Sequence, residues 1–403
     1  MPFRIACRVC VAVAVVAAVG CAPKPTLPTV GSAAPKLAAA GPAVSEAEAV
    51  AFGRAVEQAF ATADAAALDA LLRIEDLFIR SVSDFNLTAD EQAEARRGLR
   101  QSGGGERMCR SLISQLGDGA VTLLRTRVKD GRQTALFRVF SEQNGLNYLE
   151  FQIARGPDGK PVTEDVYIVL VGETLTQLVR RMMVAIIPAK KGGGGQFQLY
   201  QDNMPTIRRM NELVAAGDVA GAKRQYQSLP AALRDQKNVH ILGLRALQGD
   251  DPAYLAELER YRKRYPNDPS LDLILVDYHV LKKDAKALRE CLWRLDDAVG
   301  GDPILRVIDA NFQLDQGDRT EARRLAEEAI KLEPDMIGAH WVLVAVALAE
   351  KDHKETARLL KRVVQACRFD LDAPGLKKLD DYKHFVASPE YAELCDWVAE
   401  RAK

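Results

Sequence analysis

The sequence predicts an α+β domain followed by an all-α solenoid of paired helices. In the first half, the hydrophobic period changes at about Val121 from helical to alternating, which predicts helices packed on an antiparallel four-stranded meander. In the second half, pairs of turn residues recur at intervals of 32, 34, 34 and 34 residues, a spacing typical of helical repeats. These turn pairs are Gly217-Asp218, Gly249-Asp250, Lys283-Asp284, Gly317-Asp318 and Lys351-Asp352.

Residues 1–20 are predicted to be an export signal. Two arginines precede an apolar run from Val9 to Val19, which is shorter than the ~18 residues that span a bilayer. The ending Ala18-Val19-Gly20-Cys21 resembles the lipobox of bacterial lipoproteins. This resemblance implies that Cys21 carries lipid and, with Ala22 after it, that the protein is anchored in the outer membrane facing the periplasm. A plain secretory signal is the alternative.

Residues 21–44 follow as a predicted tether. They are rich in proline, alanine and glycine and contain no acidic residue. Such a composition favours a partly extended chain with a reach of about 60–70 Å. The whole sequence has 55 basic and 55 acidic residues, and this balance argues against a dedicated nucleic-acid binder.

Four cysteines remain after the export signal and Cys21 are set aside: Cys109, Cys291, Cys367 and Cys395. None has the spacing of a metal site, and we expect neither a metal nor a cofactor. A disulfide between Cys367 and Cys395 is one possibility in an oxidising compartment, and separate buried thiols are the other.

The α+β domain is predicted over residues 45–188. It opens with a capping box, in which Ser45 and Glu48 exchange hydrogen bonds at the start of an amphipathic helix. Further helices are predicted after Asp64, after Thr88 and before Gly117, and a last one ends at about Pro188. Between them lie four predicted strands: Val121–Val128, Thr134–Phe140, Leu146–Ala154 and Val162–Val171. In the third strand, alternation predicts one buried face and one polar face that holds Tyr148, Glu150 and Gln152.

This order of elements resembles the nuclear-transport-factor-like cone folds, which include enzymes of the ketosteroid-isomerase type and many non-catalytic modules. Catalytic members place an acidic base and a Tyr or His in an apolar pocket, but this segment has no histidine. Asp165 and Tyr167 share one face of the fourth strand and could line such a pocket. The alternative, which we favour, places both on the solvent face.

Residues 189–199 contain four consecutive glycines and are predicted to be a linker, and residues 200–368 to hold about five repeats. The best copy is NFQLDQGDRTEARRLAEEAIKLEPD, with Gly317-Asp318 at its turn, small residues in its second helix and Pro334 at its end. These features resemble the tetratricopeptide repeat. Residues 369–403 are predicted to form C-terminal capping helices, with a partner-binding tail as the alternative.

In the tetratricopeptide family, the first helix of each repeat lines a groove that takes peptides or partner helices. Carried onto this sequence, the resemblance implies a groove lined by Leu273, Asp277, Val307, Asn311, Trp341 and Ala345. Trp341 and Asn311 are the favoured contact residues. Leu273 and Val307 have an equally good alternative as core between repeats.

The predicted function is a non-enzymatic, envelope-tethered adaptor that binds a protein or peptide, from the envelope or secreted, through its repeats. Nothing in the sequence indicates catalysis, because the five histidines are scattered over separate repeats. The alternative is a small-ligand-binding or weakly catalytic cone domain that the repeats only localise.

Overall fold

A computed structural model describes residues 43–83, 88–101, 103–117, 119–141, 145–186 and 195–401. The predictions for the export signal, Cys21 and nearly all of the tether lie outside these residues. The chain divides into two compact units, one ending at Tyr278 and the other beginning at His279.

Five helices precede the sheet in the first unit: α1 (Glu46–Ala61), α2 (Ala65–Leu72), α3 (Ile74–Ser81), α4 (Ala89–Gln101) and α5 (Gly104–Leu116). The capping box of α1 is present, with Ser45 and Glu48 bonded to each other's backbone amides. Helix α3 is absent from the sequence prediction. It follows α2 after a single left-handed residue, Arg73, with no glycine or proline to mark the break.

The sheet is an antiparallel meander with strand order β1-β2-β3-β4-β5. Its strands are β1 (Ala120–Lys129), β2 (Arg132–Ser141), β3 (Gly145–Arg155), β4 (Pro161–Ile168) and β5 (Glu173–Thr174). The four predicted strands are therefore present, and a two-residue fifth strand extends the meander. Helix α6 (Leu175–Ile186) follows directly.

One face of the sheet packs on the helices. Phe151 of β3 lies between Phe137 of β2 and Phe52 of α1, at ring-centroid distances of 4.9 and 6.5 Å. The opposite, polar face of β3 is also covered at two positions. Tyr148 is fully buried and Glu150 is only 3% exposed. Alternation gives the two faces of a strand but not what covers each of them.

The first unit continues with helices: α7 (Gly195–Ala215), α8 (Val219–Ser228), α9 (Ala231–Arg234), α10 (Lys237–Leu247), α11 (Asp251–Arg264) and α12 (Leu271–Lys282), whose last turn lies beyond the division. The last five residues of the predicted linker therefore belong to α7, and its first six lie outside the described residues. Helix α8 packs on α7 and α10, and α10 packs on α11.

The second unit consists of paired helices and short 3-10 turns. The helices are α13 (Ala285–Val299), α14 (Pro303–Asp315), α15 (Arg319–Leu332), α16 (Ile337–Glu350), α17 (His353–Cys367) and α18 (Pro389–Arg401). Each of α14 to α17 packs against the next, and α14 also packs against α16. The predicted capping helix is α18, which packs on α17 and buries Tyr391 and Leu394.

All five repeated turns share two features. The first residue of each pair has a positive φ, from 54° at Lys283 to 94° at Gly249. The aspartate that follows is the N-cap of the next helix and accepts a hydrogen bond from a backbone amide at 2.7 to 3.2 Å. Lys283 and Lys351 therefore adopt the left-handed conformation that glycine adopts at the other three turns.

Candidate partner-binding surface

Most of the residues predicted to line a groove are buried. Leu273 is 1% exposed and Val307 is fully buried. Asp277 is 3% exposed, and its carboxylate accepts a hydrogen bond from the Tyr254 hydroxyl at 2.7 Å. Asn311 is partly buried, and its amide nitrogen donates to the Val307 carbonyl oxygen at 2.9 Å. In this structure these side chains contribute to packing within their own units.

Trp341 is also a packing residue. Its side chain is 8% exposed and meets the Phe369 ring edge to face, at a centroid distance of 5.4 Å and an angle of 87°. Helix α16 around it is buried on nearly every side, and Ala345 is one of its few partly exposed positions. The predicted groove residues therefore offer little free surface for a partner.

The most exposed large apolar side chain among the described residues is Trp293 of α13, at 75%. The buried positions of α13 follow a helical period: Leu288, Cys291, Leu292, Leu295 and Val299. Trp293 is out of phase with them and points away from the core. Leu332 of α15 is the second such residue in this unit, at 60%. Both residues lie on second helices of repeats, whereas the family resemblance implies contact residues on the first helices only.

The helices beside Trp293 are joined by ion pairs. Arg289, one helical turn before Trp293, contacts Asp309 of α14 at 3.2 Å and Glu321 of α15 at 2.9 Å. Asp296, three residues after Trp293, contacts Arg306 at 3.4 Å. Partly exposed pairs of this kind contribute little stability singly, and the buried side chains of α13 hold the helix in place. Trp293 is therefore presented from a positioned helix.

A second group of chemically interesting side chains lies in the first unit. His240 of α10 is fully buried, and its Nε2 lies 2.9 Å from the Glu257 carboxylate of α11. Glu257 also accepts hydrogen bonds from Arg260, at 2.7 Å, and from the Tyr226 hydroxyl. Burial opposes the charge of Glu257, but the hydrogen bonds from His240, Arg260 and Tyr226 outweigh it and lower its pKa to about 2.

This buried cluster has the residue types of acid–base chemistry without the access that catalysis needs. Tyr226 fills the space beside Gly243, where an added Cβ would overlap the tyrosine ring. The ring of Tyr261 closes on His240 at a centroid distance of 5.0 Å. Each charged group in the cluster has a partner, which is the usual condition for burying charge. We therefore assign the cluster to the packing of α8, α10 and α11.

Asp165 and Tyr167 do not form a shared site in the structure. Asp165 accepts hydrogen bonds from the backbone amide and the hydroxyl of Thr176, at the start of α6. Tyr167 is partly buried, and Lys129 lies 5.7 Å from the centre of its ring. Both residues are therefore only partly exposed, and Asp165 is bonded to the first turn of α6.

In the part of the chain that the structure describes, no three His, Cys, Asp or Glu side chains come together as metal ligands. All four described cysteines are free thiols, including Cys367 and Cys395. Among the same residues, no helix has both the length and the apolar character to cross a bilayer. No family model, curated protein or solved structure matches this chain. The resemblance to tetratricopeptide repeats therefore depends on the residues of the chain itself.

Proposed function

We propose that this protein is a non-enzymatic adaptor, tethered to the cell envelope, that binds a protein or peptide partner through its paired helices. The exposure of Trp293 carries this proposal. Tryptophan is enriched among the residues that dominate binding energy at protein interfaces, because its large side chain buries much apolar surface with few rotatable bonds. A tryptophan that is 75% exposed on a positioned helix suits that role.

The proposal moves the contact residues from the first helices to the second helices of the repeats. In this proposal Trp293 meets the partner. The scaffold behind it is supported by the residues first expected to line the groove: Trp341, Asn311, Asp277, Val307 and Leu273. Leu332 extends the apolar contact if the partner also reaches α15. The turn at Lys283-Asp284 fixes the start of α13, the helix from which Trp293 projects.

The test is an in-cell crosslinking pull-down with the full chain and two matched variants. Trp293→Ala removes the proposed anchor, and Val128→Ala removes a side chain of β1 that is 67% exposed. We expect Trp293→Ala to lose a defined protein that both the unmodified chain and Val128→Ala capture. Equal capture by Trp293→Ala would refute the proposed surface.

The envelope location is supported by the lipobox-like sequence and needs its own test. Replacing Cys21 with Ser removes the thiol that would carry the lipid. We expect Cys21→Ser to move the protein from the detergent phase to the aqueous phase after membrane extraction. An unchanged detergent fraction would contradict lipidation and leave the plain secretory signal as the interpretation.

A further inference from the structure

Helix α13 carries a continuous exposed stripe on the side opposite its buried residues. The residues of this stripe follow one another at intervals of four, three and four positions: Lys286, Glu290, Trp293 and Asp297. This spacing keeps side chains on one face of an α-helix, and it is the spacing at which two helices pack along their length. Trp293 directly follows Leu292, the middle residue of the 15-residue helix. The stripe therefore has an apolar centre with charged residues on both sides.

The charges along this stripe alternate in sign. With Arg294, which is also exposed and borders the stripe, the signs are positive, negative, positive and negative at Lys286, Glu290, Arg294 and Asp297. Read from the other end of the helix, each sign becomes its opposite. A second α13 laid antiparallel, with a two-fold axis close to Leu292, therefore places Lys286 opposite Asp297. The same axis places Glu290 opposite Arg294, so the face is complementary to its own copy, as a two-fold interface requires.

Two further charged residues of α13 do not belong to this pattern. Arg289 pairs with Asp309 and Glu321, and Asp296 pairs with Arg306. Their charges are therefore balanced within the second unit. The alternating pattern consists of the charges that remain on the outer face of the helix.

The charges of the stripe are not arranged to stabilise α13 itself. The helix has no acidic residue in its first turn and no basic residue in its last turn, whereas α15 and α17 each have a glutamate in the first turn. Lys286 lies near the positive end of the helix dipole and Asp297 near the negative end, an order that opposes the dipole. Among the residues that the structure describes, Lys286, Glu290 and Asp297 form no ion pair. Their arrangement therefore suits an opposing surface better than the helix that carries them.

We propose that the partner of Trp293 is a second copy of this chain, bound through an antiparallel, two-fold pairing of α13. The two tryptophans pack beside the axis. The ion pairs of Lys286 with Asp297 and of Glu290 with Arg294 form twice, once on each side of the axis. This inference rests on the proposed function, because it names the protein that Trp293 meets. One pair of helices buries less than the ~1,600 Å² of a standard interface, so we expect a weak dimer that dissociates on dilution.

The test is sedimentation equilibrium of the full chain with Cys21→Ser, which keeps lipid and detergent from adding to the mass. We expect a dimer with a dissociation constant in the micromolar range, and we expect Trp293→Ala to raise that constant by at least about tenfold. Lys354→Glu reverses an exposed charge on α17 and is the control, which should leave the dimer unchanged. A chain that keeps Trp293 and stays monomeric up to about 1 mM would overturn the proposal.

A charge exchange tests the antiparallel pairing itself. Lys286→Glu and Asp297→Lys each place like charges opposite each other at both ends of the interface, so each variant alone should lose the dimer. A mixture of the two variants should regain it, because positions 286 and 297 then carry opposite charges at both ends. A mixture that stays monomeric, under conditions in which the chain without these changes dimerises, would overturn the pairing.

Failure of this inference can be told apart from failure of the proposed function. If Trp293→Ala loses a captured protein in the crosslinking pull-down while the chain that keeps Trp293 sediments as a monomer, the adaptor proposal stands and the second copy is not the partner. If Trp293→Ala changes neither the capture nor the dimer, both proposals fail. Restoration of the dimer in the mixture supports the second copy as the partner.

Discussion

Helices α10 and α16 are each buried on nearly every side, but by different means. In α16 the buried side chains are almost all apolar, and His340 donates to the Pro334 carbonyl at 2.9 Å. In α10 the buried side chains include Lys237, Asn238 and His240, each paired with a polar group on another element. The apolar sequence of α16 is enough to predict that this helix is buried. The burial of α10 is not predictable from its own sequence, because its polar side chains need partners elsewhere in the chain.

The largest difference in the free energy of unfolding is expected between alanine variants at two tryptophans of the second unit. Trp341→Ala in α16 should lower the free energy of unfolding by about 3–5 kcal/mol, because it leaves a cavity beside Phe369. Trp293→Ala should change it by no more than about 0.5 kcal/mol, because that side chain is exposed. Urea denaturation of both variants measures the contrast. Equal losses would mean that Trp293 is a core residue and would remove the basis of the proposed surface.

The buried polar groups of α10 and their partners should make the folded protein less stable at acid pH. The pKa of Glu257 falls to about 2 in the folded protein from an ordinary value of 4.5, so its stabilisation is complete above pH 4.5 and is lost as the pH falls towards 2. This loss should reach about 3 kcal/mol. Thermal unfolding between pH 5 and 2 should show a shallower slope for Glu257→Gln than for the unmodified chain. Glu290→Gln on α13 is the control and should keep the original slope.

Removing the cap at one of the repeated turns should have a smaller effect on stability. Asp318→Ala removes the N-cap of α15 and should cost about 1 kcal/mol, because the amide of Glu321 loses its acceptor. Asp315→Ala, three residues earlier and exposed, should cost less than about 0.5 kcal/mol. If chemical denaturation gave the same midpoint for both variants, the turn aspartates would not contribute as caps.

Two turns hold a lysine where the others hold a glycine, and this difference can be reversed. Lys283→Gly should stabilise the protein by about 0.5–1 kcal/mol, because glycine takes a φ of 54° without steric cost. Lys286→Gly, within α13, should instead destabilise it by about 1 kcal/mol. Melting temperatures of the two variants should therefore move in opposite directions.

The smallest effect on stability is expected at His340, because its hydrogen bond to Pro334 offsets part of the pKa decrease that burial causes. Burial favours the neutral ring and lowers the pKa of His340, so the unfolded chain takes up the proton more readily. Stability is therefore complete above the usual value of 6.5 and declines as the pH falls below it. His340→Gln should remove this decline between pH 7 and 5 in calorimetric scans. An unaltered pH slope would assign the decline to other groups.

The fold is largely predictable where the signals are local. The turn aspartates and the capping boxes at Ser45 and Thr88 need only neighbouring residues, and the structure contains both. The alternation that marks the strands is equally local. Helix α3 escapes prediction because Arg73 takes a left-handed conformation without any residue that usually signals one.

Side-chain burial in the sheet is predictable only in part. Tyr148 and Glu150 occupy polar positions of an alternating strand, but Arg127 and Lys129 pair with Glu150 across the sheet and help to bury it.

The candidate surface is also predictable only in part. Val307 and Trp341 look like groove residues in a repeat register, yet neighbouring helices cover them. The phase of α13 could have indicated Trp293, because its apolar positions recur at 288, 292, 295 and 299 and leave 293 outside.

Each inter-helix turn ends one helix and caps the next with two adjacent residues, and Asp250 also accepts a hydrogen bond from Lys223 of α8. Removing or adding 34 residues between two such turns would therefore keep the turn caps of the remaining helices, apart from the contact of Lys223 with Asp250. The number of helix pairs is then the adjustable quantity, and the turn is the unit that is copied.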